Sequence, residues 1–164
     1  GARVMCLKLA DFLRRSLRFG AQEYIKLDEE ISLAMNFLDV ERTRFGSRLK
    51  VEQHIDEVTK QCLVPPLLLQ PLFENALTHG IAHLIEGGTI CLQTEWRGSR
   101  LSVKLHNPCD PDRPKSRGNG LGLDNVRKRL RTLYGNDARV DIKEDSRYFD
   151  VEVLIPAQTN STFN

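Results

Sequence analysis

Apolar residues recur over the first 45 positions with the period of a helix. Met5, Leu9, Phe12, Leu13 and Leu17 share one face, with Lys8, Asp11, Arg14, Arg15 and Arg18 between them. This predicts a helix that Gly20 can end. No capping residue precedes it, so the pattern reads as a helix cut from a longer protein. A second helix is predicted from Asp28, a good N-cap, with Glu29 and Glu30 where the helix dipole favours anions. Ile31, Met35, Leu38 and Phe45 give its apolar face, and Gly46 can close it in the left-handed conformation. Two such helices bury their stripes only against each other or against a partner.

The period then changes. Leu49, Val51 and Ile55 alternate with polar residues, which predicts a strand over 48–55. Val64-Pro65-Pro66 forces an extended lead-in to a helix over 67–79, with Pro71 in its first turn or at a kink. Strands are predicted at 89–96 and 101–106, joined by a four-residue hairpin connection, Arg97-Gly98-Ser99-Arg100. Residues 107–119 carry three prolines, Gly118 and no period, and read as a loop. Leu123, Val126, Leu130 and Leu133 mark a helix that Gly135 ends, and strands follow near 140–142 and 149–155. The order predicts an α+β fold, a two-layer sandwich with one mixed sheet covered by helices on one face. Two amphipathic helices precede it. The chain divides at 1–46, 47–158 and a polar tail at 159–164.

Composition narrows the class. The 164 residues hold 24 Lys and Arg against 22 Asp and Glu, a net charge of +2, with 28% charged and 40% apolar residues. That is the mix of a globular domain. It excludes a protein that coats nucleic acid and an acidic disordered tail. No run of about 18 apolar residues spans a membrane, and the first residues lack a signal-peptide core. Cys6, Cys62, Cys91 and Cys109 form no CxxC pair and read as reduced thiols. The charge balance hides one basic stretch. Between Arg113 and Arg131 seven basic residues stand against a single acid, Asp124.

Three constellations could carry chemistry. On the helix around 70–79, a turn of 100° per residue puts Gln70, Pro71, Glu74, Asn75, Thr78 and His79 on one half. Leu69, Leu72, Phe73, Ala76 and Leu77 fall on the other. The polar half holds amides, one acid and a histidine, which can ligate a hard cation or position phosphate oxygens. An ordinary amphipathic helix is an equal reading of the same pattern. Gly118-Asn119-Gly120-Leu121-Gly122-Leu123 runs into a helix, and alternate glycines free backbone N–H groups to curve around an anion. The spacing is neither the dinucleotide pattern nor a P-loop. Asn107-Pro108 ends a strand, where an amide could read an adenine edge or simply start a turn.

The order of these pieces resembles the GHKL ATPase fold and, in detail, the LytS-type sensor histidine kinases. Leu67-Leu-Leu-Gln-Pro-Leu-Phe-Glu-Asn-Ala-Leu-Thr-His-Gly-Ile81 is similar to that family's N box, and Gly118-Asn-Gly-Leu-Gly-Leu-Asp-Asn-Val-Arg-Lys-Arg-Leu130 to its G2 box. Leu27-Asp-Glu-Glu-Ile31 and Phe37-Leu-Asp-Val-Glu-Arg-Thr-Arg-Phe45 resemble the helix between its phospho-acceptor region and its ATP-binding domain. The resemblance implies an ATP-binding catalytic portion over 47–158, with 1–46 the remnant of a dimerising helical region. It implies ATP and Mg²⁺ as ligands, with Asn75 holding the metal and Glu74 beside it in catalysis. His79 would line the phosphates and Asn107 would read adenine. Gly118, Gly120, Leu121, Gly122 and Leu123 would lie along the phosphates, beneath a lid over 108–119.

The same resemblance implies partners outside the chain: its own upstream phospho-acceptor helix, a response regulator and a second copy in a homodimer. It implies a cytoplasmic domain in a full-length protein anchored at the inner face of the membrane. None of the four histidines (His54, His79, His83, His106) sits on the leading helices, so no autophosphorylation is expected of this chain alone. Three positions depart from the family pattern. Pro71 replaces the polar residue four before Asn75 and cannot act as a base for water, which suits transfer to a protein over hydrolysis. Thr78 replaces a basic residue. Asn107 replaces an acid, weakening an adenine contact by about 1 kcal/mol. These leave a second reading, a nucleotide-binding regulatory module without phosphotransfer. A GHKL relative with other chemistry and a nucleic-acid binder stand further off, the last because no recognition helix accompanies the basic stretch.

Overall fold

Burial along the three central strands alternates, and that alternation gives the sheet one dry face and one wet one. The computed structural model describes residues 1–20, 22–112 and 120–160, the side chains of Phe19 and Leu121 excepted. In chain order the elements are α1 (Ala2–Gly20), β1 (Ile25–Lys26), α2 (Leu27–Phe45), β2 (Leu49–Ile55), β3 (Leu63–Val64), α3 (Leu69–His79), β4 (Gly88–Arg97), β5 (Arg100–Pro108), α4 (Gly120–Tyr134), β6 (Arg139–Glu144) and β7 (Tyr148–Pro156). Five strands form one sheet in the order β2-β4-β5-β7-β6. The β2–β4 pair is parallel and the others antiparallel, so the sheet is mixed, as the sequence predicts.

Ile90, Leu92, Leu101, Val103, Leu105, Val151, Val153 and Ile155 line the inner face and are buried. Leu72, Phe73, Ala76 and Leu77 of α3 and Leu123, Val126 and Leu130 of α4 close over them. The helix α2 packs on α3, and α1 on α2. One continuous hydrophobic cluster runs from Phe12 to Ile155. The outer face is polar. There Glu152 accepts from Ser102 Oγ at 2.7 Å and pairs with Arg97 at 3.1 Å, and His106 Nδ1 lies 2.7 Å from Asp150.

Several expectations are corrected. The second helix begins at Leu27, and Lys26, in extended conformation, caps it without a side-chain bond; Asp28 lies inside the first turn. The backbone at 25–26 pairs instead with Leu63-Val64 in a two-stranded ladder, and the Leu27 N–H donates to Cys62 O at 2.8 Å. This tertiary pairing takes the place of the cap, and two residues per strand are too few to show a period. Gly46 takes a positive φ of 60° with ψ −137°, outside the left-handed helical region, because the chain turns directly into a 3₁₀ segment, Gly46–Arg48. The hairpin turn is Gly98-Ser99 alone, since β4 and β5 stay paired to Arg97 and Arg100. Asn107 and Pro108 belong to β5, held by pairing with β7, and not to a loop. The fourth helix starts three residues early, at Gly120. The predicted loop residues 113–119, and tail residues 161–164, lie outside the described residues.

The helix α1 hides little of its apolar stripe. Phe12 is buried, its ring 5.7 Å from that of Phe37. Met5, Leu9, Leu13 and Leu17 of the same predicted face are exposed, with Val4 and Leu7 beside them.

The carboxylate of Glu30 ties α2 to α3. It is 1% exposed, in the first turn of α2, and accepts from two backbone N–H groups. Leu67 donates to Oε2 at 3.0 Å and Leu69, the first residue of α3, to Oε1 at 3.1 Å. Among the described residues Leu67 is the non-glycine residue with positive φ, 60°. That conformation normally goes to glycine or asparagine. Burial dominates the ionisation of Glu30 and raises its pKa above the ordinary 4.5, against the pull of the N–H groups of Leu69, Leu67 and Leu68 and of Arg129.

A carboxyl with a raised folded pKa binds its proton more tightly folded than unfolded. Its contribution to stability is full below the ordinary value and is lost as pH rises through the raised one. Glu30→Ala leaves two N–H groups unpaired and should cost about 2–4 kcal/mol in urea unfolding. Glu30→Gln keeps one acceptor but turns an amide donor on the second N–H; it should cost less and flatten stability across the acid range. An Ala variant as stable as the parent would contradict this role.

Candidate functional site

The helix α3 divides as its sequence predicts. Its buried residues are Leu69, Leu72, Phe73, Ala76 and Leu77, which leaves the amides, acid and histidine on the other side. Pro71 stands in the first turn, where its missing N–H has no helical partner to lose. Glu74 is exposed and accepts from Gln70 Nε2 at 3.0 Å, one turn back. Asn75 is half-buried, while Thr78 and His79 are exposed towards the C-terminal end.

Asn107 comes to that end of α3 from the sheet. It is 3% exposed and lies on the inner face of β5, between Leu105 and the strand terminus. Its Nδ2 donates to Pro108 O at 3.0 Å, so the amide oxygen is the acceptor left for another molecule. Gly80 makes the approach possible. A Cβ there would stand 2.5 Å from Ala76 O and 2.8 Å from Pro108 O, and would strike Asn107 Nδ2. Gly80 has φ −116°, an ordinary value, so what selects glycine here is space. Sequence reasoning assigned Gly80 no role. Its place directly after the polar helix was the available signal.

The third component is the start of α4, which packs against α3. Gly120, Leu121, Gly122 and Leu123 are its first four residues. Those are the positions whose backbone N–H groups have no partner within the helix, at the positive end of its dipole. Leu123 is fully buried in the core, so only its backbone is on offer. A Cβ on Gly122 would meet nothing within 4 Å among the described residues. Gly118 lies outside the described residues.

The structure sets Asn107 against Ala76 and Gly80 at the end of α3, the helix that carries Asn75 and His79, and packs α4 on the same helix. The side chains are neutral amides and a histidine, and the first turn of α4 adds N–H groups that have no partner within the helix. Such a donor set suits a polyanion carrying a hard cation: Asn75 supplies a neutral oxygen of the kind Mg²⁺ accepts, and the helix terminus suits phosphate. His54 and His106 stand apart, on the outer face; the His106 ring stacks on Tyr148 at 4.8 Å. All four cysteines are free thiols. Burial pushes Cys62 up to about 11, which keeps it protonated and inert.

Comparison with known proteins bears on the family and the fold. The Histidine kinase family model matches residues 1–49, the span of α1 and α2. Sensor histidine kinase BtsS of Escherichia coli K12 is 30% identical over 149 residues, 90% of this chain and 26% of the relative. Sensor protein LytS of Oceanobacillus iheyensis is 24% identical over 94% of this chain and 29% of its own length. The chain therefore spans about a quarter of the relatives it matches. Among solved structures, the nucleotide-free catalytic domain of histidine kinase ThkA superposes with a TM-score of 0.62 at 16% identity, covering 84% of this chain and 97% of that one. The histidine kinase domain of the blue-light activated kinase from Erythrobacter litoralis gives 0.62 at 18%, covering 93% and 75%. The fold is that of histidine kinase catalytic domains.

Two glycines give opposite expectations. Gly80→Ala must displace backbone or the Asn107 amide and should cost about 1–3 kcal/mol. Gly122→Ala enters open space in a helix and should leave stability unchanged or raise it by up to about 1 kcal/mol. Thermal unfolding of both variants checks the pair; equal effects would contradict the geometry.

Proposed function

We propose that this chain, a relative of the LytS-type sensor histidine kinases, is the ATP-binding catalytic portion of such a kinase. In this reading it transfers the γ-phosphoryl of ATP to a histidine outside this 164-residue chain. One observation carries the reading: the Gly80 contact sets the Asn107 amide against the same helix that presents Asn75 and His79. The helix α4, which packs on α3, offers the backbone N–H groups of its first turn.

Each residue has a part in the mechanism. Asn107 Oδ1 accepts from the adenine amino group, the acceptor role that its Nδ2 bond to Pro108 leaves free. The N–H groups of Gly120, Leu121, Gly122 and Leu123 take phosphate oxygens. Asn75 would hold the metal through its amide oxygen, with Glu74 and His79 on the phosphate side. Mg²⁺, when bound, supplies charge neutralisation at the phosphates. Pro71 offers no base to a water molecule, which favours transfer to a protein over hydrolysis. The residues 1–46 form the end of a helical region that dimerises, with the exposed stripe of α1 as the surface of contact. The phospho-acceptor helix and a membrane anchor belong to the longer protein, with this domain on the cytoplasmic side, and a response regulator is the separate receiver. Among the described residues no helix is long and apolar enough to cross a membrane.

Asn75→Ala is expected to abolish Mg²⁺-dependent ATP binding in calorimetry while circular dichroism stays that of the parent. Unchanged affinity would remove Asn75 from the metal site. A longer chain that includes the upstream sequence should label a histidine from radioactive ATP. Protection of the chain by ATP from proteolysis, without label in any length of chain, would instead select the regulatory module. For the helical region, sedimentation of Leu13→Asp/Leu17→Asp should show less dimer than the parent. A parent that stays monomeric at high concentration would contradict pairing through α1.

A further inference from the structure

Three ligand types meet on the outer face of the sheet, on the side away from α3 and α4. Glu52 and His54 lie two residues apart on β2, so their side chains leave the same face. Cys91 on β4 is the register partner of Glu52 in the parallel pair. A carboxylate oxygen of Glu52, a ring nitrogen of His54 and Sγ of Cys91 all lie within 4.8 Å of one another. The Glu52 and His54 side chains are 64% exposed, and Cys91 is half-buried.

We infer that Glu52, His54 and Cys91 form a binding site for a borderline-soft divalent cation of the Zn²⁺ class. The geometry needs little change. A tetrahedral ion with bonds of about 2.0–2.3 Å wants its ligand atoms about 3.4–3.8 Å apart. His54 Nε2 and Glu52 Oε2 already stand 3.7 Å apart. Rotation of side chains closes the remaining separations, while the β2–β4 ladder holds the backbone. The mixture selects the metal: oxygen alone suits Mg²⁺, but a thiolate and an imidazole with one carboxylate suit zinc or its neighbours. Three protein ligands leave a fourth position to water, so the site is open to exchange. The charges balance as well. Binding releases the Cys91 thiol proton to solvent, and thiolate plus carboxylate then match the dication. Without metal, burial and the Glu52 charge push the Cys91 thiol up. The site stands on the opposite face of the sheet from Asn75 and Asn107, and it is independent of the proposed function above.

Cobalt(II) is the probe. Titrated into the reduced protein with excess Mg²⁺ present, it should give the visible absorption of a tetrahedral cobalt–thiolate centre at one equivalent, and Zn²⁺ should displace it. Cys91→Ser should remove the thiolate band. His54→Ala, on an exposed edge-strand position, should weaken binding at least ten-fold, and circular dichroism should stay that of the parent. Cys6 is the exposed thiol on α1, and Cys6→Ser should change nothing. Absence of a thiolate band in the parent, its survival in Cys91→Ser or its loss in Cys6→Ser would each overturn the site.

Discussion

The buried carboxylate of Glu30 is the constraint on which the other parts rest. A charged group placed in the interior must recover its lost hydration from hydrogen bonds. Glu30 recovers part of it from the Leu67 and Leu69 N–H groups, where the chain becomes α3. Those N–H groups belong to a helix start that no side chain of its own caps. The need is therefore mutual: α3 supplies donors that have no helical partner, and α2 supplies the acceptor. The ladder between Ile25-Lys26 and Leu63-Val64 brings the two helix starts together, so the contact is set by the backbone path. With the first residue of α3 fixed at Leu69, the 100° step fixes the direction of every residue after it. Asn75 faces outward because Leu69, Leu72, Phe73 and Ala76 face in.

The second constraint lies at the other end of α3. The helix ends beside the end of β5, where Asn107 fills the space against Gly80. Both ends of the helix are thus fixed by partners distant in sequence, Glu30 at the start and Asn107 at the finish. That explains how a helix of only 11 residues holds a site: short helices are marginal alone and gain their stability from packing. It also couples α2 to the start of the helix that carries Asn75 and His79. A displacement of α2 along its axis must either break two hydrogen bonds to the start of α3 or carry that start with it.

Much of this was legible in the sequence, and the reason is periodicity. The apolar positions at 49–55 and 101–106, and the helical spacing at 69–77, record which face is inward, although Ser102 is buried on the other face. The split of α3 into a buried and a polar half was read correctly for that reason. What escaped is pairwise. Nothing in Glu30 itself distinguishes a buried cap of another helix from an acid favoured by its own dipole, and Gly80 looks like a helix stop until Asn107 is set beside it. The ladders at 25–26 and 63–64 are too short for any period. The Asp28 cap failed similarly: local preference was right for a free helix end, and this end is not free.

The substitutions at positions 71, 78 and 107 make one argument when taken with the geometry. Proline at 71 fits the first turn of α3, where a proline removes no hydrogen bond. In the proposed reading that tolerance lets the position do without a base while the helix keeps its first turn. Thr78 is exposed, so replacing a cation there removes charge and leaves packing as it was. Asn107 is different, because it is buried. An aspartate in that place would set an ionised carboxylate near the carbonyl oxygens of Pro108 and Ala76, with no N–H to offer Pro108. The amide satisfies both demands at once: it donates to Pro108 and keeps an acceptor for a ligand. In the proposed reading the neutral residue is then a requirement of this strand end, and the contact it gives up to adenine follows from packing at Gly80.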